Sequence, residues 1–208
     1  MIYELMKSRR SVRRFQPEAP SRPLIEQLLE AAVTAPSASN KQPWRFLIVT
    51  DRGVITRLAG AVRDAVDHIA GHIEPGCEAA FRAYGDYFTR FEAAPVVIVP
   101  LFHSLTVLSG LVDGALGDDA RERIAVMERQ SGLIGTALAM QNLLLMAHAL
   151  GLGASGMTGP LVASDKIREI LDVPPSWEVA AFVPVGVPAE VPPPTERKPV
   201  HRVVRWIE

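Results

Sequence analysis

The sequence predicts an α+β protein in which a mixed sheet is flanked by helices. Two observations carry that reading. Val96–Phe102 and Glu178–Val187 are apolar runs without alternation, the pattern of strands buried on both faces. Long stretches with apolar residues at helical spacing lie before and between them, and these supply the layers that cover such strands. With 208 residues, 48% hydrophobic and 22% charged, the chain can bury about 70% of the surface of its unfolded form. One domain over residues 1–208 is expected.

In chain order, a short first helix gives way to Ser8-Arg9-Arg10-Ser11-Val12-Arg13-Arg14-Phe15. If this stretch is extended, the two-residue side-chain period puts Arg9, Ser11 and Arg13 on one side. Guanidinium forks donate paired, charge-assisted hydrogen bonds to phosphate oxygens, so the stretch reads as an anion grip. Ser21–Thr34 has the stripe Leu24, Ile25, Leu28, Leu29, Ala32, Val33 of a helix, with Ser21 able to cap and Pro23 in the first turn. Pro36–Pro43 is a polar loop, Arg45–Thr50 a strand, and Asp51-Arg52-Gly53 a turn. Residues 54–94 are helical with a break at Gly71–Gly76, and they carry Tyr84, Tyr87, Phe88 and Phe91. After Val96–Phe102, residues 103–119 fit no element, since Gly110, Gly114 and Gly117 weaken any helix. Ala120–Leu150 is helical, as one bent helix or two. Gly151–Pro160 is glycine-rich, with a backbone able to approach a ligand. Ser164 caps a helix running to about Val173, Glu178–Val187 is a strand, and His201–Ile207 reads as an edge strand after the proline-rich Pro188–Pro199.

Net charge is −1 and the pI is near 6.5, so the arginines are a local feature and nucleic acid is not an expected partner. Cys77 is the sole cysteine and no leader pattern opens the chain, which points to the cytoplasm. Leu133–Leu150 is apolar enough to raise a membrane span, but Gln141, Asn142 and His148 interrupt it. A buried helix follows instead. A helix apolar all round in a chain this small implies a subunit contact, hence a homodimer.

Gly151, Gly153 and Gly156 match G-x-G-x-x-G, yet a helix rather than a strand precedes them, so no dinucleotide-binding turn is expected. Gly153-Ala154-Ser155-Gly156-Met157 lacks the second glycine and the context of a nucleophile elbow. His68, His72 and Cys77 offer no fourth ligand, so no metal is expected. There is no G-x-x-x-x-G-K-[ST] phosphate loop.

Three separated segments together resemble the FMN-dependent nitroreductase superfamily: Arg9-Arg10-Ser11-Val12-Arg13, then Pro36-Ser37-x-x-Asn40-x-Gln42-Pro43-Trp44, then Arg197-Lys198-Pro199. The strand after Ala94-Pro95, the glycine-rich passage and Val183-Pro184-Val185-Gly186 extend the likeness over nearly the whole chain. The resemblance implies a homodimer with FMN in the subunit interface. It implies that Arg9, Arg10, Ser11 and Arg197 hold the phosphate and ribityl chain, and that Arg13 lies beside the pyrimidine side of the flavin. Pro36, Ser37 and Ala38 would reach the flavin from the partner chain, and Asn40 and Gln42 would also bind the cofactor. Met157, Thr158 and Gly159 would offer backbone groups near N5.

The implied activity is ping-pong hydride transfer from NAD(P)H through flavin N5 to a nitroaromatic, quinone or similar small acceptor. No catalytic acid–base group is expected, because the cofactor performs the chemistry. A fixed cation such as Arg13 favours the reduced, more negative flavin and raises its potential. The resemblance extends to reductive dehalogenases of the iodotyrosine deiodinase branch, although residues 54–94 contain no Lys for the lid of that branch. A flavin-binding or flavin-sensing protein without nicotinamide turnover is the remaining reading.

Overall fold

The computed structural model describes residues 1–208. Six helices, α1 (Ile2–Ser8), α2 (Arg22–Val33), α3 (Arg52–Ala70), α4 (Glu78–Gly85), α5 (Asp118–Ala149) and α6 (Ser164–Ile170), surround five strands. These are β1 (Trp44–Val49), β2 (Val96–Phe102), β3 (Gly153–Ala154), β4 (Glu178–Val179) and β5 (Val183–Gly186), in the order β1-β2-β5-β3 with β4 also on β2. Every ladder is antiparallel. The parallel component that makes the sheet mixed is the Ser11–Ala154 bridge, where the arginine-rich stretch joins β3.

Full burial of β2 follows from its place at the centre. Val97, Val99 and Leu101 enter a core with α3 and α6, while Val96 and Ile98 enter a second core with α2 and α5. The expected strand Glu178–Val187 is split in two by a bulge. Leu101 faces Val179 and Ile98 faces Val183, so Val99 and Pro100 oppose three residues, Ala180–Phe182. Pro100 has no N–H to continue the ladder, and its carbonyl takes the N–H of Ala180 at 2.9 Å.

Helix α2 matches its predicted stripe, burying Ile25, Leu28 and Ala32. Ser21 is its N-cap residue by backbone position, without a side-chain cap bond. Residues 54–94 break where Gly71–Gly76 predicted, between α3 and α4. Ser164 is the first residue of α6 rather than its cap, and the helix stops at Ile170.

Two expectations need correction. His201–Ile207 is no edge strand: Val200–Arg202 form one 3₁₀ turn, and Val203, Trp206 and Ile207 stand exposed without a paired neighbour. A short alternating run holds as a strand only where a sheet edge receives it, and the N-terminal stretch already takes the β3 edge. The Leu133–Leu150 stretch is not buried all round. It belongs to one 32-residue helix, α5, which buries Gly132, Gly135, Thr136, Ala139, Leu143, Leu144 and Ala147 but leaves Ile134 60% and Leu138 42% exposed.

Candidate functional site

The arginine-rich stretch leaves α1 and becomes extended because it is stitched between two segments. Val12 N–H donates to the Ala154 carbonyl at 3.1 Å on one side. Gln16 N–H donates to Val187 and Ala189 N–H to Arg14 on the other. The pleat turns Val12 inward, 7% exposed, and leaves Ser11 and Arg13 on the opposite side. Gly153 is required by this join, since a Cβ there would come within 2.6 Å of a Val12 methyl.

The arginines differ in what they hold. Arg14 is paired with Glu190 at 3.6 Å. The Arg10 Nη1 donates to the carbonyls of Lys7 and Arg9 at 2.6 and 3.0 Å, closing the end of α1. Arg13 donates to the Ser11 carbonyl at 3.4 Å. Arg9 is half-buried and has no carboxylate within 4.0 Å, and neither has Arg10, Arg13 or Arg197. Burial first, and then the nearby Arg197 and Arg10, pull the Arg9 guanidinium below its ordinary pKa. The chain thus brings cations from both ends together without an acid between them. Such a cluster is stabilised by an anion.

Beyond β3 the chain offers further polar groups. The Ser155 hydroxyl is fully buried and has no partner. The backbone N–H groups of Thr158 and Gly159 donate to no protein acceptor. Met157 departs from the expectation: its N–H and carbonyl are both spent on Phe182, each at 2.8 Å, so it has no free N–H to offer. The glycine-rich passage also differs from a uniform ligand cradle. Gly153 makes room for Val12 and Gly159 for Phe88, whose ring would lie 2.2 Å from an added Cβ. Gly151, at φ 74°, ends α5, and it and Gly156 are exposed.

The Pro36–Gln42 loop lies elsewhere in the chain. Ser39, Asn40 and Gln42 adopt φ of 51°, 50° and 48°, at a cost of roughly 1 kcal/mol apiece. The loop is pinned by Gln42 N–H donating to Ser37 Oγ at 2.9 Å. Pro36, Ala38, Asn40 and Gln42 are exposed. It packs on α5 beside Gly135, where an added Cβ would lie 3.5 Å from the Ser37 Cβ. The arginine cluster lies at the other end of α5, near His148. Thirteen helical residues at 1.5 Å each separate those positions by about 20 Å. Within one chain, the structure therefore brings Arg9, Arg10 and Arg197 together, sets Ser11 and Arg13 on the adjoining strand that leads by β3 to Thr158 and Gly159, and leaves the loop apart.

A hollow of about 680 Å³ between α3 and α6 contains none of these residues. The His68 and His72 rings lie tilted by 52° with centroids 5.0 Å apart, the His72 ring bonded to the His68 carbonyl, and no metal-ligating group of three forms. Sequence reasoning did not single out Phe88 or His148 as members of this region, because each owes its place to a contact remote in sequence, with Gly159 and Ser8 respectively.

The Nitroreductase family model matches residues 6–187. An NADH dehydrogenase of Thermus thermophilus is 31% identical over 217 residues, covering 95% of this chain and 92% of the relative. An iodotyrosine deiodinase of Thermotoga neapolitana is 29% identical, covering 99% and 97%. The crystal structure of a BluB-like flavoprotein from Clostridium difficile 630 superposes with a TM-score of 0.84 over 100% of this chain and 99% of the other, at 20% identity.

Proposed function

The chain belongs to the nitroreductase family, and from that premise we propose that it is a cytoplasmic, homodimeric FMN-dependent oxidoreductase carrying hydride from NAD(P)H to a nitroaromatic or quinone-type acceptor. The observation that carries this reading is the carboxylate-free convergence of Arg9, Arg10 and Arg197 beside an extended Ser11–Arg13 strand. The residues fit the cofactor. Unpaired guanidiniums and the Ser11 hydroxyl suit its phosphate and ribityl chain, and the free N–H groups of Thr158 and Gly159 suit a ring edge that accepts hydrogen bonds. The orphaned Ser155 hydroxyl beside the strand is a further polar group in need of a partner.

When bound, FMN would supply two-electron hydride chemistry at N5. Arg9, Arg10, Ser11 and Arg197 anchor the phosphate end. Arg13 sets a fixed positive charge where negative charge grows on reduction, and so raises the potential. Thr158 and Gly159 orient the ring for hydride arrival. The partner's copy of the Pro36–Gln42 loop closes the site. Its separation from the arginine cluster by about 20 Å within one chain supports that division of labour.

The test is an absorbance spectrum followed by anaerobic titration. Purified protein should carry a flavin band that NAD(P)H bleaches and that a quinone or nitroaromatic restores. A flavin that neither nicotinamide reduces would remove the reductase assignment and favour a flavin-binding role without turnover. A second reading, reductive dehalogenation, is favoured by the deiodinase likeness along the whole chain. The absence of Lys from residues 54–94 weighs against it. Halotyrosine that fails to quench the bound flavin would exclude it.

A further inference from the structure

The last turn of α5 carries a group that the hydride reading leaves unused. His148 is half-buried, and its Nε2 lies 2.8 Å from the Oγ of Ser8. Ser8 is the last residue of α1 and directly precedes Arg9, and its hydroxyl also lies 3.2 Å from the Leu5 carbonyl. The charges acting on the ring are the guanidiniums of Arg9 and Arg10, with Arg197 behind Arg9. No acid balances them. Lys7 and Glu4 on α1 pair with each other, as do Arg22 and Glu26 on α2, and β3 has no titratable residue. Burial, then Arg9 and Arg10, hold the imidazole below its ordinary pKa, so without an anion the ring is neutral at neutral pH.

We propose that His148, acting through Ser8, belongs to the anion site of Arg9, Arg10 and Arg197, and takes up a proton when the phosphate dianion of FMN binds there. This rests on the flavin reading above. A dianion cancels the repulsion that keeps the ring neutral, and the C-terminal end of α5 itself favours a cation. A protonated ring must donate through Nε2. Ser8 then accepts that bond, and its own hydrogen goes to the Leu5 carbonyl. His148 is accordingly a positioning residue for the phosphate and takes no part in hydride transfer.

The sign of the linkage is fixed. Binding raises the pKa of the group, so the gain in affinity is full below the free-state value and is lost as pH rises through the bound-state value. The second ionisation of the phosphate lies near pH 6. Between about pH 6.5 and about pH 8.5 the ligand is therefore mostly dianionic, and the change belongs to the protein.

The experiment measures FMN affinity of the full chain, stripped of flavin, by fluorescence quenching across that range, with riboflavin as the phosphate-free control. The same titration is run on His148→Asn and His148→Gln. Wild-type affinity for FMN should weaken roughly tenfold as pH rises, as one pKa step predicts. Both variants and riboflavin should be flat. An NMR titration of the wild-type His148 ring, with and without FMN, needs no folded variant and should show a higher midpoint when FMN is bound. Equal midpoints, or the same pH slope in wild type and a folded variant, would overturn the proposal and leave the flavin reading standing. Failure of FMN to bind at any pH would remove both.

Discussion

Arg9 is a half-buried cation whose neighbours are other cations, an arrangement that costs free energy until an anion arrives. Removing it should therefore act on cofactor affinity before it acts on the fold. Arg9→Ala should weaken FMN binding by about 1.5–3 kcal/mol, tenfold or more in Kd, with the melting temperature of the stripped protein unchanged or raised. Flavin titration and thermal melts read the two effects separately, and normal flavin occupancy would show that the phosphate sits elsewhere. Arg13 stands on the same strand, but its predicted place is beside the ring. Arg13→Ala should lower the midpoint potential more than the affinity, and an unmoved midpoint in a redox titration would discard that role. Gly159 belongs to this scale as well. A Cβ there would enter the Phe88 ring at 2.2 Å, so Gly159→Ala must displace either the ring or the backbone next to Thr158. We expect a loss of about 1–3 kcal/mol from overpacking, partly relieved by Phe88→Leu in the same chain. Unchanged stability in Gly159→Ala would mean that the aromatic segment is not seated there.

Among the elements, residues 103–117 are held by two side chains of α5: Arg121 donates to the carbonyls of Leu116 and Asp113, and Glu128 takes the N–H groups of the first half. Glu128 is 4% exposed, and its carboxylate accepts from Val107 N–H at 2.7 Å, Ser109 N–H at 3.2 Å and Ser109 Oγ at 2.6 Å. Burial alone would push its pKa up, yet the Ser109 hydroxyl and these N–H donors outweigh burial and hold it below the ordinary value. Because the folded pKa is depressed, its contribution is present above the unfolded value, near 4.3, and is lost as pH falls through the folded value. Glu128→Gln should cost about 1–3 kcal/mol near neutral pH and flatten the acid limb of the stability curve. An acid limb identical in the two proteins would show that another group controls it.

The same element explains what the sequence could and could not reveal. Periodicity located α2 and α3, whose burial repeats along one segment, and an unbroken apolar run located β2. Periodicity could not place residues 103–119, because the groups that order them are Arg121 and Glu128, side chains of the helix that follows. Nor could it split Glu178–Val187, since the bulge answers to Pro100 on a neighbouring strand. The arginine cluster was legible as residue types at a spacing, while the pairing of Arg14 with Glu190, the commitment of Met157 to Phe182 and the nearness of His148 to Arg9 depend on folding.

At the scale of the whole molecule, large apolar side chains stay uncovered on α5, on α1 and in the tail. Ile134 and Leu138 project from α5, Ile2, Tyr3 and Met6 from α1, and the tail ends in exposed Trp206 and Ile207. A two-fold dimer buries each contact residue twice, so Ile134 and Leu138 alone amount to four side chains. At roughly 1.5–3 kcal/mol each, these would contribute several orders of magnitude to the dimer dissociation constant. The strained Pro36–Gln42 loop packs on the same helix beside Gly135, which ties dimerisation to cofactor binding if the partner's loop completes the site. Ile134→Glu with Leu138→Glu should therefore give a monomer in sedimentation at micromolar concentration, with helical circular dichroism retained and bound flavin lost together. A double variant that stays dimeric would place the interface on another face. A monomer that keeps its flavin would mean that one chain encloses the cofactor alone, against the 20 Å or so that separates the loop from the arginines along α5.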